Sequence, residues 1–156
     1  MLRLAVIVIA LAALAPAPLS DECVGLGWPV DGPIIAPFAP QGTYGGHWGV
    51  DLASDPGSPV SAAFVGRVAF VGTVVGNTAV TLDHGGGVRS TVSYLGSTGV
   101  VAGQWVAVGQ VVGISGLAHD LAAVHFSVRV DGEYVDPDPL LACLPVVPSR
   151  ALRLVP

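Results

Sequence analysis

Two histidines and one aspartate have the residue types and the order of a metal site. His47 and Asp51 are four residues apart in the segment HWGVD, and His125 follows much later in an apolar stretch. Two imidazoles and one carboxylate are the three protein ligands of a catalytic zinc ion whose fourth position stays open to water. Taken singly, they would be a loop residue, a turn cap and a core histidine. Together they predict a zinc site.

The segments that must position these residues are expected to be short β-strands. Glycine and proline account for 21 and 13 residues, and valines recur between them at close spacing, which is typical of an all-β domain. Strands are predicted over 60–64, 66–71, 79–82, 88–93, 111–115, 124–130 and 133–135. The glycine-rich segment 83–87 is predicted to be a turn, and His84 is assigned to that turn, away from the site.

The chain is expected to comprise three parts. Residues 1–20 have a basic start, an apolar run too short to span a bilayer and a small-residue stretch, which indicates a secretory signal. If it is not cleaved, the signal would tether the protein to a membrane. Residues 21–144 form the predicted domain, and 145–156 a proline-rich tail. In an extracytoplasmic protein, Cys23 and Cys143 are expected to form a disulfide, the alternative being two free thiols.

The charge distribution argues against nucleic acid as a partner. The chain has six basic residues, none of them lysine, and a formal net charge of -5. A phosphate-binding surface needs a concentration of positive charge that no stretch of this sequence supplies.

An ordered series of motifs connects the candidate ligands to a known family. The series runs through WPVDG at 28–32, HWGVD at 47–51, DHG at 83–85, VAVGQVVG at 106–113, HF at 125–126 and VDP at 135–137. It resembles the LytM/lysostaphin-type zinc metallopeptidases, which cut peptide cross-bridges in bacterial peptidoglycan. The resemblance implies zinc ligation by His47, Asp51 and His125, and an antiparallel β-sandwich with a groove over one sheet. Lipoyl and biotinyl carrier domains share the glycine–valine segment, but they need a lysine that this chain lacks.

The departures from the family pattern concern the catalytic residues. The family has a second histidine two residues before the last ligand, where this chain has Ala123, and another at the position of Tyr94. A glutamate commonly found after the final ligand is replaced by Ser127. Tyr94 is a candidate hydrogen-bond donor to an oxyanion and His119 a candidate substitute base, the alternatives being an ordinary strand residue and a solvated loop residue.

Three functions follow from this reading. The favoured one is a secreted, cell-envelope, zinc-binding domain that binds peptidoglycan stem or cross-bridge peptides or regulates another wall hydrolase without cleaving. The alternative is an active zinc endopeptidase with a rearranged base, and the third is a structural envelope domain. In the predicted groove, loops 37–46 and 115–122 form the walls, and Tyr44 and Trp48 are candidate substrate contacts.

Overall fold

A computed structural model describes residues 23–24, 26–43, 45–140 and 144–145 of the chain. The elements are β1 (Cys23–Val24), β2 (Ile34–Ala36), β3 (Ala39–Gln41), β4 (Gly45–His47), β5 (Val50–Ala53), β6 (Pro59–Ser61), β7 (Gly66–Val74), β8 (Asn77–Gly85), β9 (Val88–Thr98), β10 (Trp105–Val106), β11 (Val111–Ser115), β12 (Ala123–Val130), β13 (Glu133–Val135), α1 (Pro137–Leu140) and β14 (Leu144–Pro145).

The strands form one large antiparallel sheet and two small ribbons. The main sheet has the order β10-β7-β8-β9-β12-β5-β2, while β13 pairs with β12, and β11 pairs with both β6 and the far end of β9. One ribbon consists of β3 and β4 and the other of β1 and β14. The predicted all-β antiparallel class is confirmed, and the described residues contain a single four-residue helix.

The core lies on one face of the main sheet. Side chains alternate between the two faces of a strand, so Val124, Phe126 and Val128 of β12 are completely buried, whereas His125 points to the opposite face and is partly exposed. The core is closed from the other side by β6 and β11, whose Val60 and Val112 belong to the same apolar cluster. The second face of the sheet is therefore left free.

The strand predictions differ from the structure mainly before residue 60. Strands β2 to β5 were not predicted, because these short segments lack a sustained apolar alternation. The strand predicted over 60–64 ends at Ser61, although Ala62 still donates its N–H to the carbonyl of Gln110, just before β11. The turn predicted over 83–87 is shorter, because β8 continues to Gly85.

His84 lies on β8 and not in the predicted turn, and it is not a member of the cluster of candidate ligands. Its Nδ1 is 2.9 Å from the carbonyl oxygen of Val65 and its Nε2 is 2.8 Å from the hydroxyl of Ser90. Burial lowers the pKa of His84 below its ordinary value, which favours the neutral ring. The His84 side chain therefore links the β8–β9 hairpin by a hydrogen bond to the loop that contains Val65.

Several predictions fall on residues outside the described ranges. These are the signal at 1–20, Tyr44, Cys143, and the tail beyond Pro145. The paired strands β1 and β14 place the backbone of Cys23 opposite Pro145. Within the described ranges, no helix has the combined length and apolar character needed to traverse a bilayer.

Candidate metal centre and its surroundings

The three predicted ligands come from three different strands and meet at one point. Asp51 of β5 lies directly opposite His125 of β12 in the sheet register, and His47 reaches them from the ribbon strand β4. Nε2 of His47 is 3.0 Å from Oδ1 of Asp51 and 3.0 Å from Nδ1 of His125. Nδ1 of His125 is 2.8 Å from the same carboxylate oxygen. The predicted cluster is therefore formed in space.

The orientation of His47 is set by the backbone. Its Nδ1 is 2.7 Å from the carbonyl oxygen of Pro37. A carbonyl can only accept a hydrogen bond, so Nδ1 carries the proton when the ring is neutral, and Nε2 presents a lone pair toward Asp51 and His125. A backbone carbonyl behind a ligand histidine is a common means of fixing the tautomer in metal sites.

The donor atoms fit a zinc ion. Two imidazole nitrogens and a carboxylate oxygen are ligands that zinc accepts at about 2.0–2.2 Å, which places tetrahedral donors about 3.3 Å from one another. The observed distances between the three donor atoms, 2.8–3.0 Å, are slightly shorter than this. They are well within the 4.8 Å that encloses the group. A small outward shift of each side chain would accommodate the ion. The three protein donors leave one position of a tetrahedron free.

The charge of Asp51 is favoured by its neighbours. Burial raises the pKa of this carboxyl, but the hydrogen bond with His125 and the charges of the two histidines together outweigh it, so the pKa lies below the ordinary value. Asp51 is only 5% exposed. The buried carboxylate is therefore ionised at neutral pH and available as a ligand.

Gly49 is a residue of this centre that the sequence analysis did not single out. A Cβ at this position would lie 2.5 Å from the carbonyl oxygen of Phe126 and 2.7 Å from ring atoms of His125. Only a glycine allows the backbone between His47 and Asp51 to pass this close to the ligand ring. The glycine in HWGVD was the available signal, but its meaning depends on a strand far away in the sequence.

The two candidate substitute residues, Tyr94 and His119, contact each other. The hydroxyl oxygen of Tyr94 is 3.1 Å from Nε2 of His119. Both residues, and Asp120 after them, have positive φ angles of 62°, 52° and 63°. His119 and Asp120 occupy a tight turn closed by the bridge between Ala118 and Leu121. The structure thus brings together two side chains that are 25 residues apart.

Tyr94 lies within the electrostatic reach of the cluster. Burial raises its pKa above the ordinary value of 10, and the negative charge of Asp51 raises it further. At neutral pH its hydroxyl therefore keeps its proton and can donate a hydrogen bond, but it is not a base. His119 is exposed. Among the described residues, its ring is the imidazole that contacts the Tyr94 ring.

A small apolar side chain occupies the position at which the family resemblance predicts a catalytic histidine. Ala123 lies on β12, two residues before His125, opposite Ala53, and has no exposed surface. Ser127, two residues after His125, is also buried, at 5% exposure. Neither side chain is able to take a proton from a reacting water at neutral pH.

Trp48 belongs to an aromatic group beside the cluster. Its ring centroid is 6.4 Å from that of Phe38 and 5.7 Å from that of Tyr134, and its Nε1 donates to the carbonyl of Gly45. Trp48 is partly buried, so packing accounts for much of its surface. Tyr44, the other predicted substrate contact, lies outside the described residues.

An antiparallel sheet with two imidazoles and a carboxylate meeting on its open face is the arrangement of an all-β zinc-peptidase domain. The sequence model of peptidase family M23 matches residues 45–137, more than half of the chain. The chain belongs to this family, which confirms the predicted resemblance.

Named relatives are consistent with this assignment. Protein Rv2891 of Mycobacterium tuberculosis is 33% identical over 153 residues, covering 90% of this chain and 61% of the relative. The murein hydrolase activator NlpD of Salmonella typhimurium is 29% identical over 114 residues, or 70% of this chain and 29% of the relative. A crystal structure of a peptidase M23 from Pseudomonas aeruginosa superposes with a TM-score of 0.66 at 31% identity, covering 83% of this chain and 53% of that one. This chain thus spans less than two thirds of each.

We expect Gly49→Ala to destabilise the domain by about 1–3 kcal/mol, because the new methyl group must displace the Phe126 carbonyl or the His125 ring. Urea unfolding of the metal-free protein measures this change without involving metal affinity. Gly99→Ala is the matched control, since its Cβ would meet no atom within 4 Å and its φ is not positive. Equal stability of the two variants would contradict the close approach at Gly49.

Proposed function

We propose that this chain is an exported, zinc-binding member of family M23 that binds peptidoglycan peptides without hydrolysing them. The observation that carries this proposal is the contrast between the complete ligand triad and the two positions beside it. His47, Asp51 and His125 converge within 3.0 Å of one another, whereas Ala123 and Tyr94 stand where proton-transfer groups would be required.

The loss of both bases removes much of the expected rate. A positioned general acid or base contributes typically about 100- to 10,000-fold. Ala123 offers a methyl group. Tyr94 holds its proton at neutral pH, because a tyrosine pKa is ordinarily about 10 and that of Tyr94 is raised further. When bound, the metal would polarise a carbonyl group and supply a hydroxide. Without a base beside it, the site is better suited to holding a peptide than to cleaving it.

A regulatory role agrees with one of the relatives. The name of the Salmonella protein describes an activator of murein hydrolases. A domain that keeps the groove and the peptide affinity, but not the turnover, would place another hydrolase on its substrate. Peptidoglycan stem or cross-bridge peptides and a second wall hydrolase are therefore the proposed partners, and the cell envelope is the proposed location.

The zinc site is tested by elemental analysis of the purified protein. We expect about one zinc ion per wild-type chain and a large loss of zinc in His125→Ala, because only two of the three protein ligands remain. His84→Ala is the matched control, since His84 bonds to Val65 and Ser90 and takes no part in the cluster. Zinc that is absent from the wild type, or equal in all three proteins, would overturn the metal assignment.

Binding without turnover is tested on purified peptidoglycan sacculi. We expect the wild-type protein to sediment with sacculi and to release no new amino termini above the buffer control, while an active M23 endopeptidase releases them in parallel. Failure of the wild type to sediment would overturn the binding proposal.

The same assay decides the alternative of an active enzyme with a rearranged base. The hydrogen bond between Tyr94 and His119 favours this alternative, because His119 could accept a proton through the Tyr94 hydroxyl. Measurable release of amino termini that disappears in both Tyr94→Phe and His119→Ala would establish it. Release that persists in both variants would exclude the pair as the source of the activity.

We also propose that Cys23 and Cys143 form a disulfide, as is usual in an oxidising compartment. The pairing of β1 with β14 supports it, since Cys23 lies opposite Pro145, two residues after Cys143. We expect the intact mass to be two daltons lower than that of the reduced protein. In the chain-entropy model, the disulfide should stabilise the folded state by roughly 4–5 kcal/mol. Free thiols in the protein purified from its native compartment, detected by alkylation, would contradict the pairing.

A further inference from the structure

A row of charged and aromatic residues crosses the open face of the main sheet. The sheet registers place six residues opposite one another on successive strands, from β10 through β7, β8, β9 and β12 to β13. In this order they are Trp105, Arg67, Asp83, Arg89, Arg129 and Tyr134. We call this set the arginine row. It contains every arginine of the described residues, in a chain that has no lysine at all.

The arginine row shares its face with the metal centre. His125, Ser127 and Arg129 alternate with buried residues along β12, so all three point to the same side of the sheet. Arg129 follows His125 by four residues, which corresponds to roughly 13 Å along a strand. Between the two lies a row of hydroxyl groups, in which Thr81 and Thr91 are hydrogen-bonded at 2.9 Å. An extended peptide of about four residues would span this distance.

Arg89 and Arg129 line a depression at the centre of the row. Arg89 and Arg129 lie directly opposite each other on adjacent strands. Like charges directly opposite each other are destabilising unless each has a counter-charge, and Asp83 supplies one for Arg89. The depression has a volume of about 410 Å³, and both arginines line it together with Asp83, Asp131 and glycines of the two adjacent turns.

The two arginines are held in place by different partners. Arg89 forms an ion pair with Asp83 at 3.1 Å, and about half of its side chain is exposed. The guanidinium of Arg129 is stacked on the ring of Tyr134, at 4.6 Å from the centroid. Stacking leaves the edge of the guanidinium free, and this edge matches a carboxylate with two parallel N–H groups. Among the described residues, Arg129 has no carboxylate partner of its own.

We propose that Arg89 and Arg129 bind a free carboxylate of a peptidoglycan stem peptide whose other end lies at the metal centre. This inference rests on the proposed function, because it names the part of the bound peptide that the groove recognises. Charge complementarity selects the ligand: a carboxylate supplies the counter-charge that Arg129 lacks, and the exposed Asp131 at the rim offers an acceptor for a nearby amine of the same peptide. A stem peptide carries both groups within a few residues.

The test uses sacculi stripped of wall polymers by acid, so that their free carboxylates belong to the stem peptides. One half of the sacculi is amidated with carbodiimide and ammonia, and binding is measured by co-sedimentation at 150 mM salt. We expect the wild type to bind amidated sacculi about 10- to 100-fold more weakly, as loss of a charge-assisted hydrogen bond implies. Arg129→Gln should bind the sacculi that were not amidated more weakly than the wild type does, by a similar factor. On amidated sacculi its binding should differ little from that of the wild type.

Arg67→Gln is the matched control. It removes the same charge from the same row, but Arg67 is two strands away from Arg89, roughly 9–10 Å. This exceeds the screening length of about 8 Å at that salt concentration. Its binding should therefore stay within about twofold of the wild type. Melting temperatures show whether both variants are folded. The comparison of amidated with non-amidated sacculi uses the wild-type protein alone, so it does not depend on the folding of a variant.

The possible outcomes separate the two proposals. Wild-type protein that binds neither native nor amidated sacculi overturns peptidoglycan binding itself. Equal binding of the wild type to both preparations, or equal losses in Arg67→Gln and Arg129→Gln, overturns the carboxylate site alone. Binding only to sacculi that still carry their phosphate-containing wall polymers would assign the arginines to phosphate and overturn the stem-peptide ligand.

Discussion

The two-residue alternation along β12 is the constraint on which the rest of the molecule depends. Its even-numbered residues Val124, Phe126 and Val128 are fully buried in the core, and this burial determines which way the odd-numbered residues point. A shift of one residue in the register would put His125 into the apolar cluster and a valine onto the groove face. The hydrophobic effect therefore orients the ligand histidine as firmly as any contact at the site itself.

Strand pairing places the other candidate ligands beside His125. Because β5 lies next to β12, Asp51 is directly opposite His125 and is buried beside it. His47 is added from the β3–β4 ribbon, and the carbonyl of Pro37 turns the correct nitrogen inward. The same face continues over the hydroxyl groups of Thr81 and Thr91 to the arginine row. One sheet face thus contains the cluster of His47, Asp51 and His125 and the depression lined by Arg89 and Arg129, about four residues apart along a strand.

The sequence was sufficient for the family, the all-β class and the grouping of His47, Asp51 and His125, because residue types, their order and the valine alternation are local signals. It was insufficient for features that depend on register. Arg67, Arg89 and Arg129 are unremarkable in the sequence and become a row only through pairings between strands that are distant along the chain. The contact of Tyr94 with His119 and the close approach at Gly49 are hidden for the same reason. Strands β2 to β5 were missed since they are held by tertiary pairing more than by pattern.

The left-handed residues near the metal centre have a thermodynamic consequence. Tyr94, His119 and Asp120 adopt φ angles that glycine tolerates better than they do, and each such residue costs on the order of 1–3 kcal/mol. Glycine at positions 94 and 119 would relieve that strain but would also delete the phenol and the imidazole that contact each other. The Tyr94–His119 contact is therefore maintained at the expense of thermal stability.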